Sequence, residues 1–445
     1  MKLQNLLNNV LPKGHQFELF HLQSNPCEIV PIITPKKTNN REGKKLNLTT
    51  VKTQHFFALS YNKKYVLALE IYVYVTLTHL SGSSTQGKNA FSSAERLIFV
   101  SKADTNGYCD IRFSAKKVTK AILEYLIAID PNYYLTKVKP LERKYNKKDK
   151  EIFIIGEDKL QKNLRKLSRK GLNEKKVIFN KSNYYLKLHY SGEFVTKISI
   201  FTRPANHYLF TGSGKNKKKH SLTGIQLMKW WLSIVDSVVT EKFDKQRSLK
   251  TCLRVPGEDP LRVRRYFTNL NCPKWECGDI FSDNPSSLAA FNIPLFPDDP
   301  KSRFLHQLVE ENRIKNTTLK TFWFELQERQ EFKLSVLVSV IGVEGYTDKV
   351  PTFHSVQTNE TIIATSLKQF TYLKNYVTAE EYDTEEGAFE SYYNIRDYLN
   401  NKLKKSMLTL SGNEAFPLKD SNAVKVNLTS NLAITVLKPR KKVKI

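Results

Sequence analysis

Hydrophobic positions along the chain alternate between two spacings, and the changes of spacing divide it into strands and helices. TQHFFALS (53–60), YVLALEIYVYVTL (65–77) and ERLIFVS (95–101) are dense in aromatic and β-branched residues and predict buried strands. The apolar residues of KKVTKAILEYLIAI (116–129) recur at helical spacing. Strands are expected again at YYLKLHY (184–190) and VTKISIFT (195–202), then a helix in LTGIQLMKWWLSIVDSVV (222–239) and a short one in EDPLRVRRYFTNL (258–270). Pro300 stands where a helix would begin, and KSRFLHQLVEENRI (301–314) continues from it at helical period. EFKLSVLVSVIGV (331–343) predicts a further buried strand, and 366–408 a pair of helices. Strands and helices alternate through both halves without an internal repeat. The expected fold class is therefore α/β: one large domain over residues 1–430, with a central mixed sheet surrounded by helices and loops.

Charge changes this picture in two places. The chain of 445 residues carries 71 Lys and Arg against 43 Asp and Glu, a formal charge of +28. Hydrophobic residues make up 40%, enough for a core, so the charge does not mean disorder. It implies an anionic partner, whether nucleic acid, an acidic protein or a phosphorylated cofactor, or simply a solubilising surface. The excess is densest in a Lys-rich insert at 141–183, read as a mobile loop or surface hairpin interrupting the domain. A basic tail at 431–445 ends in KPRKKVKI, a pattern that addresses proteins to the nucleus. Five cysteines in a chain this long make no disulfide framework, and Cys272 and Cys277 lack zinc-site spacing. The apolar run 65–77 contains Glu70 and is too short to span a bilayer. These features fit a reducing compartment and no membrane.

Four stretches are candidates for chemistry. In FPDDPKSRF (296–304), Pro297 and Pro300 bias their predecessors away from helix, which places Asp299 at a helix N-cap. The alternative use of Asp298 and Asp299 is acid–base work, since adjacent carboxylates repel and one can hold its proton to higher pH. SKADTNGYC (101–109) carries a turn signal after a strand: a hairpin, or a loop whose amides face a ligand. In MKWW (228–231) adjacent helix positions point about 100° apart, so one tryptophan packs in the core and the other is free to line a cleft, or both pack. GSGKNKKKH (212–220) is either a solvated charge run or a phosphate-holding loop, but not a Walker motif. No nucleophile–base signature and no nucleic-acid-binding fold signature is present.

Ordered blocks along nearly the whole chain resemble the fungal regulator-of-transposition histone acetyltransferase family. They include LPKGHQFELFHLQS (11–24), AERLIFVSKADTNGYC (94–109), FTRPA (201–205), LMKWW (227–231), LRVPGEDPLRVR (253–264), NIPLFPDDPKSRF (292–304) and EEYDTEEGA (380–388). The resemblance implies a fold similar to the acetyltransferase domain of the CREB-binding protein. It implies acetyl-CoA as cofactor and lysines of newly synthesised core histone three as substrate, in replication-coupled nucleosome assembly. Implied partners are core histones three and four, a chaperone of the nucleosome-assembly-protein class and the anti-silencing histone chaperone, with direct DNA binding possible but not required.

Carried over by position, cofactor contacts are implied at Ala103, Asp104, Thr105, Arg112, Phe113, Ser114, Ala115, Lys116, Phe201, Ala205, His220, Ser221, Leu222 and Trp230. Trp231 and Tyr208 fall where the family lines its substrate-lysine tunnel. Asp299, with Asp298 beside it, matches the proposed catalytic position, Asp104 matches a position linked to activity, and Lys301 matches a lysine acetylated by the enzyme itself. The rival expectation is a non-catalytic basic protein that binds nucleic acid or histones through charge alone.

Overall fold

The computed structural model describes residues 2–34, 47–79, 91–141, 185–282, 284–328, 337–348 and 361–415. The insert expected at 141–183, beyond Leu141, and the tail at 431–445 lie outside these residues. Eleven strands among the described residues form one mixed sheet. They are β1 Gln16–Ser24, β2 Cys27–Ile29, β3 Leu48–Tyr61, β4 Lys64–His79, β5 Phe91–Thr105, β6 Val195–Thr202, β7 Leu249–Arg254, β8 Trp275–Cys277, β9 Ser339–Gly345, β10 Ile362–Ala364 and β11 Leu408–Ser411. The helices are α1 Leu3–Asn8, α2 Ala115–Ala128, α3 Gly224–Lys242, α4 Pro260–Arg264, α5 Pro300–Glu310, α6 Leu319–Gln327, α7 Leu367–Thr378 and α8 Glu385–Tyr398. The sheet runs β10-β1-β3-β4-β5-β6-β9-β7-β8, with β11 also on β1 and β2 on β3.

Both faces of the central strands are covered, which is why they read as nearly continuous apolar runs. Leu67, Leu69, Ile71, Val73 and Val75 of β4 join Ile122 and Leu126 of α2 and Val235 and Val238 of α3 in one core. The intervening residues face the other way. Ala68 meets Phe370 of α7 and Tyr392 of α8, whereas Tyr72 and Tyr74 join Phe99 and Phe296. Farther along, Val340 of β9 packs with Phe304 of α5 and Phe322 of α6. The expected strand at 184–190 is reduced to a single bridge, Val138↔Leu186. Leu186 and Leu188 sit half-covered at the margin of the core; the Leu188 N–H donates to the Leu135 carbonyl at 2.9 Å, and Tyr190 is bonded by the Asn132 side chain, so the segment lies along 132–138 without a regular ladder.

Arg96 ties the helical layer to the sheet. It is fully buried; its Nη1 donates to the carbonyls of Leu126 (3.3 Å), Ile127 (2.9 Å) and Ile129 (2.7 Å), and Nη2 to Thr196 Oγ1 (2.9 Å). These are the carbonyls that the end of α2 leaves without helical partners. Burial pulls the guanidinium down to about 10, which leaves it charged at neutral pH.

The arrangement that positions the site lies between β5 and β6. Their parallel ladder runs from Glu95↔Val195 to Val100↔Ile200 and stops. β5 continues beside β4 to Thr105↔Leu67, after a register shift that leaves Ser101 unpaired. β6 continues beside β9 to Thr202↔Ser339. Beyond Val100 and Ile200 the two strands therefore part, and the parting opens a gap at their C-terminal ends.

A second buried polar element gives a pH prediction. Thr361 Oγ1, His21 and His55 and the Tyr134 hydroxyl form a chain with contacts of 2.9, 3.1 and 3.1 Å. Burial pushes His55 down to about 3, and burial plus the neighbouring His55 lowers His21 well below the usual histidine range. The folded state therefore binds fewer protons than the unfolded one, whose histidines titrate near 6.5. Their contribution to stability is present above about pH 6.5 and falls as pH drops below it, by about 1.4 kcal/mol per pH unit per histidine. Urea unfolding at pH 7.5 and 5.5 should show this loss, and a His21→Asn, His55→Gln variant should lose less between the two pH values. Equal losses in both proteins would show that the rings are not held neutral.

Candidate functional site

The gap between β5 and β6 is a cavity of about 280 Å³. Because the parting removes the sheet between its two faces, residues from both layers line it. Val100, Ile200, Leu227 and Trp231 come from the α3 side, and Phe99, Phe201 and the Pro297–Pro300 turn from the other. Crevices at the carboxyl ends of parallel strands are where α/β sheets bind ligands.

The turn is held over the gap by packing and by charge. Phe296 stacks flat on Phe99, with ring centroids 3.9 Å apart at 6°. Asp298 follows in the left-handed region at φ 57, a conformation Asp tolerates better than most residues. Asp299 caps α5: its Oδ1 accepts from the Lys301 N–H at 2.9 Å, with Pro300 in the first helical position. Its Oδ2 accepts from Lys301 Nζ at 2.6 Å. Both residues are 2% exposed, and the Lys301 ammonium lies 4.6 Å from the Phe201 ring centre. Asp298 instead bonds Lys102 Nζ of β5 at 2.8 Å.

This geometry corrects the expectation that the adjacent carboxylates repel and that one keeps its proton. Each faces its own lysine, and Lys102 holds the Asp298 carboxyl below the usual carboxylate range. The two also differ in exposure. Both line the cavity, but the Asp299 side chain is 0% exposed and that of Asp298 65%, so Asp298 presents the more open carboxylate.

Asp104 is turned toward the surrounding chain. It does not line the cavity, and its carboxylate is saturated. Oδ2 accepts the N–H groups of Tyr208 (2.6 Å), Leu209 (2.9 Å) and Phe210 (3.2 Å). Oδ1 accepts from Thr105 N–H (2.9 Å) and from the buried Lys219 ammonium (2.8 Å). One side chain thus anchors the 208–210 wall and the basic loop at 212–220. The loop closes on Gly107, at φ +83, where a Cβ would lie 2.6 Å from the Lys219 nitrogen.

Of the residues singled out in the sequence, Ala103, Phe201, Ala205, Tyr208, Trp231, Asp298 and Asp299 line the cavity. Trp231, 5% exposed, serves core and cleft together. Trp230 meets it edge-on at 4.8 Å and does not line the cavity. Desolvation lifts the Tyr208 phenol to about 12, so it stays protonated and donates to the Arg203 carbonyl. Thr105 lies beside Asp104, outside the cavity lining. Arg112, Phe113, Ser114, Ala115 and Lys116 form the entry to α2, with Ser114 Oγ accepting from Lys117 N–H. His220, Ser221 and Leu222 lead into α3, whose start is closed by a Thr223–Gln226 capping box. Lys301 lies behind the cavity wall. Lys102 and Arg303 also line the cavity; both lie in stretches singled out in the sequence but were given no role there, because a lysine or arginine in a basic chain carries no local mark. Among the described residues no cluster of His, Cys, Asp or Glu could hold a metal ion, and no helix is long and apolar enough to cross a membrane.

Residues 3–398 match the family model for the histone acetyltransferase KAT11-type domain. This sets the class: the chain is a histone lysine acetyltransferase. It is 32% identical over 345 residues to histone acetyltransferase RTT109 of Candida albicans, covering 75% of this chain and 84% of that one. Histone acetyltransferase rtt109 of Aspergillus flavus is 25% identical over 399 residues, 78% of this chain and 57% of the relative. The crystal structure of Rtt109 from Aspergillus fumigatus has the same fold, with a TM-score of 0.64 at 20% identity over 94% of this chain and 100% of that one. The chain belongs to the Rtt109 family of histone acetyltransferases. Membership implies acetyl-CoA as the acetyl donor and action on chromatin in the nucleus.

The buried Asp299–Lys301 pair gives a stability prediction. Asn caps a helix as well as Asp does, so Asp299→Asn keeps the cap but leaves a buried ammonium without its counter-charge. That should cost about 3–5 kcal/mol and lower the thermal unfolding midpoint. Adding Lys301→Gln should recover more than half of the drop. A double variant no more stable than Asp299→Asn would show that the charge pair is not the cause.

Proposed function

We propose that the cavity between β5 and β6 is the acetyl-transfer site, and that its substrate is a lysine of newly synthesised core histone three, carried with histone four by chaperones during replication-coupled nucleosome assembly. The observation that supports this most directly is the convergence of Asp298, Trp231, Tyr208 and Phe201, from separate stretches of chain, on one cavity. Its apolar wall suits an acyl thioester. Arg112 and Lys116 are exposed where α2 begins, and a helix N-terminus flanked by cations suits phosphates.

Acetyl-CoA supplies the activated acyl group, and the chain's residues prepare the amine. A lysine near pKa 10.4 is protonated at pH 7, and removing its proton costs about 4–5 kcal/mol. The Asp298 carboxylate, open to the cavity and ionised at neutral pH, attracts the ammonium and accepts that proton directly or through water. The Trp231 ring faces the aliphatic stem of the lysine and the ammonium at its end. Asp299 with Lys301 fixes the 297–300 turn, and Asp104 with Lys219 fixes the 208–210 segment that carries Tyr208, so that amine and thioester are held together.

Charge bears on the partners. A chain of +28 and a basic histone repel at long range. That favours delivery by an acidic chaperone of the nucleosome-assembly class, together with the anti-silencing chaperone, which presents the histone pair. The insert 141–183 and the tail 438–445 are the proposed docking segments.

Labelled acetyl transfer from acetyl-CoA to histone three–four complexes, with and without each chaperone, tests the whole proposal. Trp231→Ala and Asp298→Asn should each lower kcat/KM by about 10²-fold, the scale of a lost positioning contact, and the chaperones should raise the wild-type rate. If neither variant changed kcat/KM, the cavity would not be the transfer site.

A further inference from the structure

A buried carboxylate stands opposite Lys102 in the sheet. Glu70 of β4 is 1% exposed. Its Oε1 accepts from the Tyr72 hydroxyl at 3.1 Å and from Lys374 Nζ of α7 at 2.8 Å. Its Oε2 is buried as well and has no hydrogen-bond partner among the described residues. A charged oxygen buried without a partner is costly, so its retention in the middle of the sheet points to a use. Register supplies one. Glu70 and Lys102 are direct partners across the β4–β5 ladder, with Ser101 left over beside them. Residues paired in this way project from the same face, with Cβ atoms about 4.5–5.5 Å apart, within reach of a long side chain. Lys102 nevertheless bonds Asp298 Oδ2, at 2.8 Å. One lysine side chain therefore stands between two carboxylates, one open at the cavity and one buried with a free oxygen.

We propose that Glu70 is a positioning residue for acetyl transfer: its free oxygen receives the Lys102 ammonium when a substrate lysine takes over Asp298. The proposal rests on the reading of this cavity as the acetyl-transfer site. A substrate ammonium approaching Asp298 meets Lys102 already there, and two cations at one carboxylate repel. With Glu70 within reach, Lys102 exchanges one carboxylate for the other. Each ammonium still faces an anion, and Asp298 is released to the incoming amine. No covalent bond changes in this step. The pair that breaks is the weak one: the Lys102 and Asp298 side chains are 24% and 65% exposed, and ion pairs open to solvent contribute little. The pair that stays is the buried one, since Lys374 holds the other oxygen of Glu70. Glutamine at position 70 would keep the volume but not the charge that draws Lys102 away.

Steady-state acetyl transfer by the full chain to histone three–four complexes, at saturating acetyl-CoA, tests this by separating KM from kcat. Glu70→Gln should raise KM for the histone substrate about fivefold, the scale of one partly exposed ion pair, and leave kcat within about twofold. Lys102→Met should lower KM, because nothing then competes for Asp298. The Glu70→Gln, Lys102→Met double variant should share that low KM. Where Glu70→Gln is unstable because Lys374 loses its counter-charge, Glu70→Gln with Lys374→Met removes the buried pair whole and should raise KM by the same factor. An unchanged KM in these Glu70 variants, while Trp231→Ala still impairs transfer, would reduce Glu70 to an anchor for α7 and overturn this proposal alone. So would a raised KM that Lys102→Met does not correct. If Trp231→Ala and Asp298→Asn also leave transfer intact, the reading of the cavity falls with it.

Discussion

Two parallel strands that pair for six residues and then part create the working space of this protein. While β5 and β6 are laddered, the sheet is a continuous wall between two apolar layers. After Val100 and Ile200 each strand keeps only its outer neighbour, β4 on one side and β9 on the other. The gap cannot close, because β4 and β9 are themselves held by long antiparallel ladders. It also cannot fill with one layer's side chains alone. Trp231 from beneath and the 297–300 turn from above therefore meet across it, which neither layer could arrange within an intact sheet.

Charged pairs keep the gap in shape. Asp104 with Lys219 and Asp299 with Lys301 are both buried aspartate–lysine contacts, at 2.8 and 2.6 Å. Desolvating two charges is rarely a net gain in stability, but losing one partner is expensive, so such pairs enforce a particular arrangement. Each aspartate also accepts backbone N–H groups. Asp104 gathers those of 208–210, and Asp299 that of Lys301. The carboxylates thus link charge neutralisation to the path of the chain. Lys102 with Asp298 differs in being partly exposed, where an ion pair is weak and easily exchanged for another. Rigid pairs in the walls and a labile pair at the mouth are what a site needs if it must hold its shape and still admit a cation.

Elements whose signals are local were legible along the chain. The N-cap at Asp299 with Pro300 behind it, the Thr223 start of α3 and the dense strands β3 to β5 all depend on neighbours within a few residues. The expected strand at 184–190 failed for the complementary reason. Its alternation was present, but a strand needs a regular ladder along its length, and the neighbouring segment begins in a helical turn at Pro131–Leu135 and offers one bridge at Val138 and scattered bonds from Leu135 and Asn132. What Asp104 holds was equally hidden: the 208–210 amides and Lys219 that it bonds lie 104 to 115 residues away.

The amino-acid sequence by itself therefore determined the mixed α/β class, the helix that follows the paired aspartates, the basic character and, through ordered blocks of resemblance, the acetyltransferase family. These rest on composition, periodicity and short-range caps, which exist before the chain folds. The tertiary structure decided which carboxylate is the more open at the cavity, which lysine each one holds, and that Lys102 lines the site. Those outcomes depend on register across β4 and β5 and on the point where β5 leaves β6. A one-residue shift would send each of these side chains to the opposite face of the sheet, and no local pattern in the sequence encodes that choice.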